Sequence, residues 1–115
     1  MNYQVIQTAE DLRKAIETLT SQPVVGLDTE TTDLDPYTSR LRLLQLATPD
    51  RVYIVDFDHF ANGNAAKSEA TAPLRRLLEA PRPIKIAHNA KFDAKFIKHN
   101  LGVDLGGLFV TLLAS

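Results

Sequence analysis

The chain has 115 residues, 44% of them hydrophobic and 23% charged, with a net charge of -1 and no cysteine. Such a length suits a single domain that buries roughly two-thirds of its unfolded surface. The composition excludes disulfides, thiolate metal sites and a global electrostatic pull toward nucleic acid.

No apolar run approaches the ~20 residues of a membrane span. The start, MNYQVIQTAEDLRK, lacks the basic and apolar regions of a signal peptide. The expectation is a cytoplasmic chain without membrane contact.

In chain order, YQVIQT reads as a short first strand. TAEDLRKAIETLTSQP reads as a helix: Thr8 is its N-cap, and Asp11 puts an acid in the first turn. Leu12, Ile16 and Leu19 form its packing face, and Pro23 stops it. PVVGLDTET is a second strand. RLRLLQLATPD and RVYIVDF read as an antiparallel pair turning at Thr48, Pro49 and Asp50.

DHFANGNAAKSEATAP has few large apolar residues and reads as a surface loop. A helix around Leu74, Leu77 and Leu78 follows, closed by Pro81 and Pro83, and then the strand PIKIAH. NAKFDAKFIKHNLG is a third helix, with Asn89 able to cap it and Gly102 at a left-handed C-cap. Phe92, Phe96, Ile97 and Leu101 form its apolar side. Lys91, Lys95 and Lys98 form a basic stripe, read either as a solvated face or as steering for an anionic ligand. The order of elements is that of an α/β domain with a mixed sheet.

Three carboxylates depart from this packing logic. Asp28 and Glu30 lie two apart on a strand, so they share a face and repel one another. Asp93 sits at the edge of the third helix's apolar side, where an unpaired acid is costly. Three hard oxygen ligands suit Mg²⁺ or Mn²⁺. Two such ions ~3.5–4 Å apart form the clamp used in phosphodiester cleavage.

The segments VVGLDTETTDLDPY, RLRLLQLATPDRVYIVD and IAHNAKFDAKFIKHNLGV together resemble the DEDD superfamily of 3'-5' exonucleases. The branch is that of ribonuclease D, the Werner-type exonucleases and the proofreading domain of family-A DNA polymerases. Asp28-Thr29-Glu30 matches its D-x-E motif, and His88, Asn89, Lys91, Phe92 and Asp93 match H-N-x-K-[FY]-D. The resemblance covers almost the whole chain, taken as one partial exonuclease-like domain over 1–115.

It implies a ribonuclease-H-like fold, α/β with a mixed five-stranded sheet flanked by helices, truncated at its C-terminal side. It implies two Mg²⁺ or Mn²⁺ ions on Asp28, Glu30 and Asp93 as the metal-binding and catalytic residues. It places Thr31 and Leu34 against the terminal nucleotide, and Asn89 and Phe92 near the substrate strand or in a supporting role. Capping or packing is the alternative for those four.

Two departures from the family pattern follow. The fourth carboxylate, an Asp four residues after a Tyr or His on a late helix, has no match, because the chain ends before such a helix. Asp33, Asp56 and Asp104 are the acids that a compact variant could use instead. A family F-D-T is replaced by Phe109, Val110 and Thr111, and the apolar run Leu112, Leu113, Ala114 reads as an uncovered helix. A homodimer or a partner chain covering that C-terminal helix is therefore expected.

Two functions stand. One is a 3'-5' exonuclease on single-stranded DNA or RNA; the other is a catalytically weak or inactive nucleic-acid-binding module that keeps the fold. A haloacid-dehalogenase-like phosphatase wants D-x-D-x-T, and Glu30 argues against it.

Overall fold

The computed structural model describes residues 2–32, 40–60 and 68–110. Strand β1 (Asn2–Ile6) leads to helix α1 (Ala9–Thr20), then β2 (Val24–Thr31), β3 (Leu41–Ala47) and β4 (Arg51–Asp56). A 3-10 turn (Glu69–Thr71) opens α2 (Ala72–Glu79), followed by β5 (Ile84–Ala87), α3 (Ala90–Leu101) and β6 (Leu108–Val110).

The strands form one mixed six-stranded sheet in the order β1-β4-β3-β2-β5-β6. The β2–β3 and β3–β4 pairs are antiparallel; β1–β4, β2–β5 and β5–β6 are parallel. The α/β ribonuclease-H-like reading holds.

Local chemistry accounts for the element boundaries. Thr8 is extended, and its side chain accepts from the Asp11 amide at 3.2 Å, which caps α1. Thr48 closes the β3–β4 turn by donating from its own amide to the Arg51 carbonyl and accepting from the Arg51 amide. Gly102 ends α3 at φ 75°, where a side chain is strained.

Successive residues of β2 serve opposite sides of the sheet. Val25 and Leu27 are buried in one core cluster with Leu12, Ile16 and Leu19 of α1, Leu74 and Leu78 of α2, and Ile97 and Leu101 of α3. The alternate set faces the other way. One row of directly paired residues crosses all six strands there: Tyr3, Val52, Ala47, Gly26, Ile86 and Phe109. Tyr3 and Phe109 on that row are 64% and 59% exposed, so this face is open. Asp28 lies in the next row, with Val5, Ile54 and Gln45, and Glu30 in the one after, with Leu43 and Asp56.

Three sequence expectations need correction. The sheet has six strands, not five, because Leu108–Val110 pairs in parallel with β5. A built Cβ at Gly106 or Gly107 would lie 2.1 or 2.2 Å from the carbonyl oxygen of Glu79 or Pro81. Only glycines pass so close beneath the end of α2 and bring the chain alongside β5. The rest of the tail, 111–115, lies outside the described residues, as does the partner surface expected there.

Phe60, in the stretch read as a surface loop, is buried at 1% exposure and belongs to the core cluster. Asn89 occupies the N-cap position of α3 but makes no side-chain capping bond. Its φ of -111° and ψ of 58° are not the extended geometry that aims a cap at the first turn. Its carbonyl accepts the Asp93 amide at 2.9 Å instead.

Candidate active site

Asp93 approaches β2 where that strand outruns β5. Parallel pairing between those strands stops at Gly26–Ile86, so Leu27 to Thr31 continue without a β5 neighbour. The chain leaves β5 at Ala87, passes His88 and Asn89, and starts α3 beside this free stretch. Asp93, in the first turn of α3, lands against Thr29. The Thr29 hydroxyl donates to Asp93 Oδ1 at 2.5 Å.

Asp93 is 2% exposed, and its Oδ2 is buried without a hydrogen-bond partner among the described residues. Burial pushes its carboxyl above the ordinary value; the Thr29 hydroxyl partly offsets this, and the charge of Asp28 adds to it. The two acids therefore feel one another, although Asp28 itself is exposed. Asp28 Oδ1 accepts the Thr29 amide at 3.0 Å, which fixes its orientation.

Glu30 is exposed and turned toward Arg42, whose guanidinium lies 3.7 Å from Glu30 Oε1. Asp93 is thus brought to Thr29, the neighbour of Asp28 in β2, while Glu30 has a separate cationic neighbour. Among the described residues no three His, Cys, Asp or Glu side chains are gathered closely enough to hold a metal ion as they stand. The donor set nonetheless suits a hard cation. It offers an unpartnered buried carboxylate oxygen and two acids that repel one another, both relieved by positive charge.

Of the other expected site residues, Thr31 ends β2, paired with Leu41 and half-buried. Asn89 is exposed at the start of α3. Phe92 is half-buried and packs on Phe96, with ring centroids 4.7 Å apart. Leu34 lies outside the described residues, as does Asp33. Asp56 stands two strands from Glu30, roughly 10 Å across the sheet. It is held by Gln7 at 3.0 Å and His59 at 2.7 Å. Asp104 is paired with Lys98 at 3.1 Å, which engages one lysine of the basic stripe; Lys91 and Lys95 are exposed.

Three residues near the acids were given no role in the sequence reading, although His88 was matched to the second motif. Thr29 lay unassigned between two acids although it supplies the hydrogen bond to the third. His88 lines an open groove of about 240 Å³ with Gly26, Asp28, Gln45, Ala47 and Ile86. Arg42 had no motif to mark it. A larger groove, about 320 Å³, lies between α1 and α2 at Ile16, Pro73 and Leu77, remote from the acids.

The sequence model of the 3'-5' exonuclease family matches residues 3–115. The chain belongs to that family. This exonuclease-family chain is 32% identical over 115 residues to DNA polymerase I of Aquifex aeolicus, covering all of this chain and 17% of the polymerase. It is 34% identical over 111 residues to ribonuclease D of Gluconacetobacter diazotrophicus, covering 96% of this chain and 26% of that protein.

In structure it resembles Escherichia coli RNase D, an exoribonuclease involved in structured RNA processing. The TM-score is 0.79 at 25% identity, covering 96% of this chain and 27% of that one. It shares the fold of the EXD2 exonuclease domain soaked in Mg and dGMP, with a TM-score of 0.75 at 20% identity over 96% of this chain and 56% of that one. The chain thus spans about a quarter or less of the curated relatives' length.

Proposed function

We propose that the chain is a metal-dependent 3'-5' exonuclease domain acting on the 3' end of single-stranded nucleic acid. Asp28, Glu30 and Asp93 would hold Mg²⁺ or Mn²⁺. The observation that carries this is Asp93: a buried carboxylate with one oxygen on Thr29, the other unpaired, and the charge of Asp28 close enough to disfavour its ionisation. A protein gains nothing in stability from such an arrangement unless a cation completes it.

Bound ions of this class activate a water and stabilise the leaving 3' oxygen. The chain's own residues set the stage. Thr29 holds Asp93 in place, and β2 presents Asp28 and Glu30 on the open face of the sheet. His88 and Gln45 line the groove with Asp28 and are proposed to contact a nucleotide there. Thr31, Asn89 and Phe92 sit at the ends of the same two elements and are proposed to contact the terminal nucleotide.

A second reading, a binding module with weak or no turnover, is favoured by one observation. The three carboxylates do not form a closed cage among the described residues.

A 5'-labelled single-stranded oligonucleotide incubated with the chain and Mn²⁺ separates the two. The exonuclease yields a ladder shortened from the 3' end and abolished by Asp28→Ala, because a ligand of the clamp is lost. Retention of full-length label alongside tight binding supports the module instead. A ladder that survives Asp28→Ala refutes the site.

A further inference from the structure

Glu30 and Thr31 pair with Leu43 and Leu41, so Arg42 is the extra residue of a β-bulge. Bulges re-aim a side chain out of the regular alternation. Here the guanidinium has two acidic seats. Its NH1 lies 3.7 Å from Glu30 Oε1, an ion pair too long for a hydrogen bond, and its Nε bonds Asp58 Oδ2 at 3.1 Å. Asp58 is itself steadied by Arg40 at 2.6 Å and by donating its amide to Asp56 Oδ1 at 3.1 Å.

The tighter seat is therefore away from the acid proposed as a metal ligand, and the looser one is upon it. We propose that Arg42 is a resident countercation of Glu30 that tunes the affinity of the site for divalent cations. A dication reaching Glu30 displaces the guanidinium, which settles on Asp58. This rests on the metal-binding reading above.

Isolated exposed ion pairs contribute little to stability, so a purely structural Arg42 would leave cation binding unmoved. As a countercation it has to be released from Glu30 before the dication binds, and a unit ion pair at about 4 Å in water corresponds to about fivefold in a binding constant.

The test is calorimetric titration of the 115-residue chain with Mn²⁺ alone, without nucleic acid. Arg42→Ala and Arg42→Gln tighten binding about fivefold, whereas Arg42→Lys, which keeps the charge, stays near wild type. Asp58→Asn weakens binding because the guanidinium loses its other seat, and this weakening shrinks markedly when Arg42→Ala is also present. Melting in EDTA identifies any variant that fails to fold, and the second neutral variant then carries the comparison.

Unchanged or weaker Mn²⁺ binding in the neutral variants overturns the proposal, as does an Asp58→Asn effect of equal size in both backgrounds. Glu30→Gln keeps the two readings apart. If it weakens binding while the Arg42 variants do nothing, only the countercation falls. If wild type binds no Mn²⁺, or Glu30→Gln binds it equally well, the metal-binding reading falls and takes this one with it.

Discussion

Replacing Asp93 by asparagine should stabilise the metal-free chain. An ionised acceptor buried without a full set of partners costs about 1–3 kcal/mol or more. Asp93 is 2% exposed, with a single donor, Thr29, and the like charge of Asp28. The amide of the variant keeps the acceptor facing Thr29 and removes the charge. It adds an N–H with no partner, so the net gain is smaller, about 1–2 kcal/mol. With an unfolding entropy of about 2.1 cal/mol/K per residue, a chain of 115 residues moves ~4 °C per kcal/mol, giving a rise of ~4–8 °C.

The sign with pH follows from the raised carboxyl of Asp93. The folded state holds this proton more tightly than the unfolded chain, so its contribution is complete below the ordinary value of 3.8 and is lost as pH rises through the folded value. The advantage of Asp93→Asn is therefore small in acid and full at pH 8. Mn²⁺ reverses the order: at one hundred times its Kd the ion adds about 2.7 kcal/mol to wild type and less to the variant. Thermal melts by circular dichroism across pH 4–8, in EDTA and in Mn²⁺, measure all of this. A variant that melts below wild type in EDTA at pH 8, or a gap indifferent to pH, would refute the reasoning.

Thr29→Val removes the donor to Asp93 at nearly constant volume. It should cost about 1–3 kcal/mol at pH 8 and less at pH 4, read from the same melts. Asp56 responds oppositely: burial raises its carboxyl, but hydrogen bonds from Gln7 and His59 outweigh that and hold it low. Its stabilisation is present above 3.8 and lost as pH falls through the folded value, so Asp56→Asn should destabilise by about 1 kcal/mol at pH 7 and converge on wild type in acid, as urea titrations will report. Gly107→Ala forces a side chain onto φ +63° and into the Pro81 carbonyl, and should cost about 2 kcal/mol or more, with faster hydrogen exchange at the β5–β6 amides.

The parts of the fold legible in the sequence are those fixed by local chemistry. Thr8 announced α1 because a cap acts within one turn, and Gly102 announced the end of α3 because a left-handed residue favours glycine. Thr48, Pro49 and Asp50 marked the β3–β4 turn in the same way. Leu108–Val110 was illegible as a strand because three apolar residues fit either period, and its partner β5 is distant in sequence.

At the site, alternation along β2 put Asp28 and Glu30 on one face. Helical spacing put Asp93 at the rim of an apolar side, but not how deeply it is buried. Depth depends on where α3 crosses β2, and the meeting with Thr29 is a tertiary event. The bulge at Arg42 depends on register between two strands, which no single stretch of residues encodes.

Strand β2 carries one more consequence. Val25 and Leu27 answer to the interior while Asp28 and Glu30 answer to the open side, and the pairing with β3 and β5 keeps these assignments apart. A slip of one residue would drive both carboxylates into oil and push the aliphatic pair into water. Selection for a folded chain and selection for its chemistry therefore act on the same hydrogen-bond ladder, and neither can drift without the other.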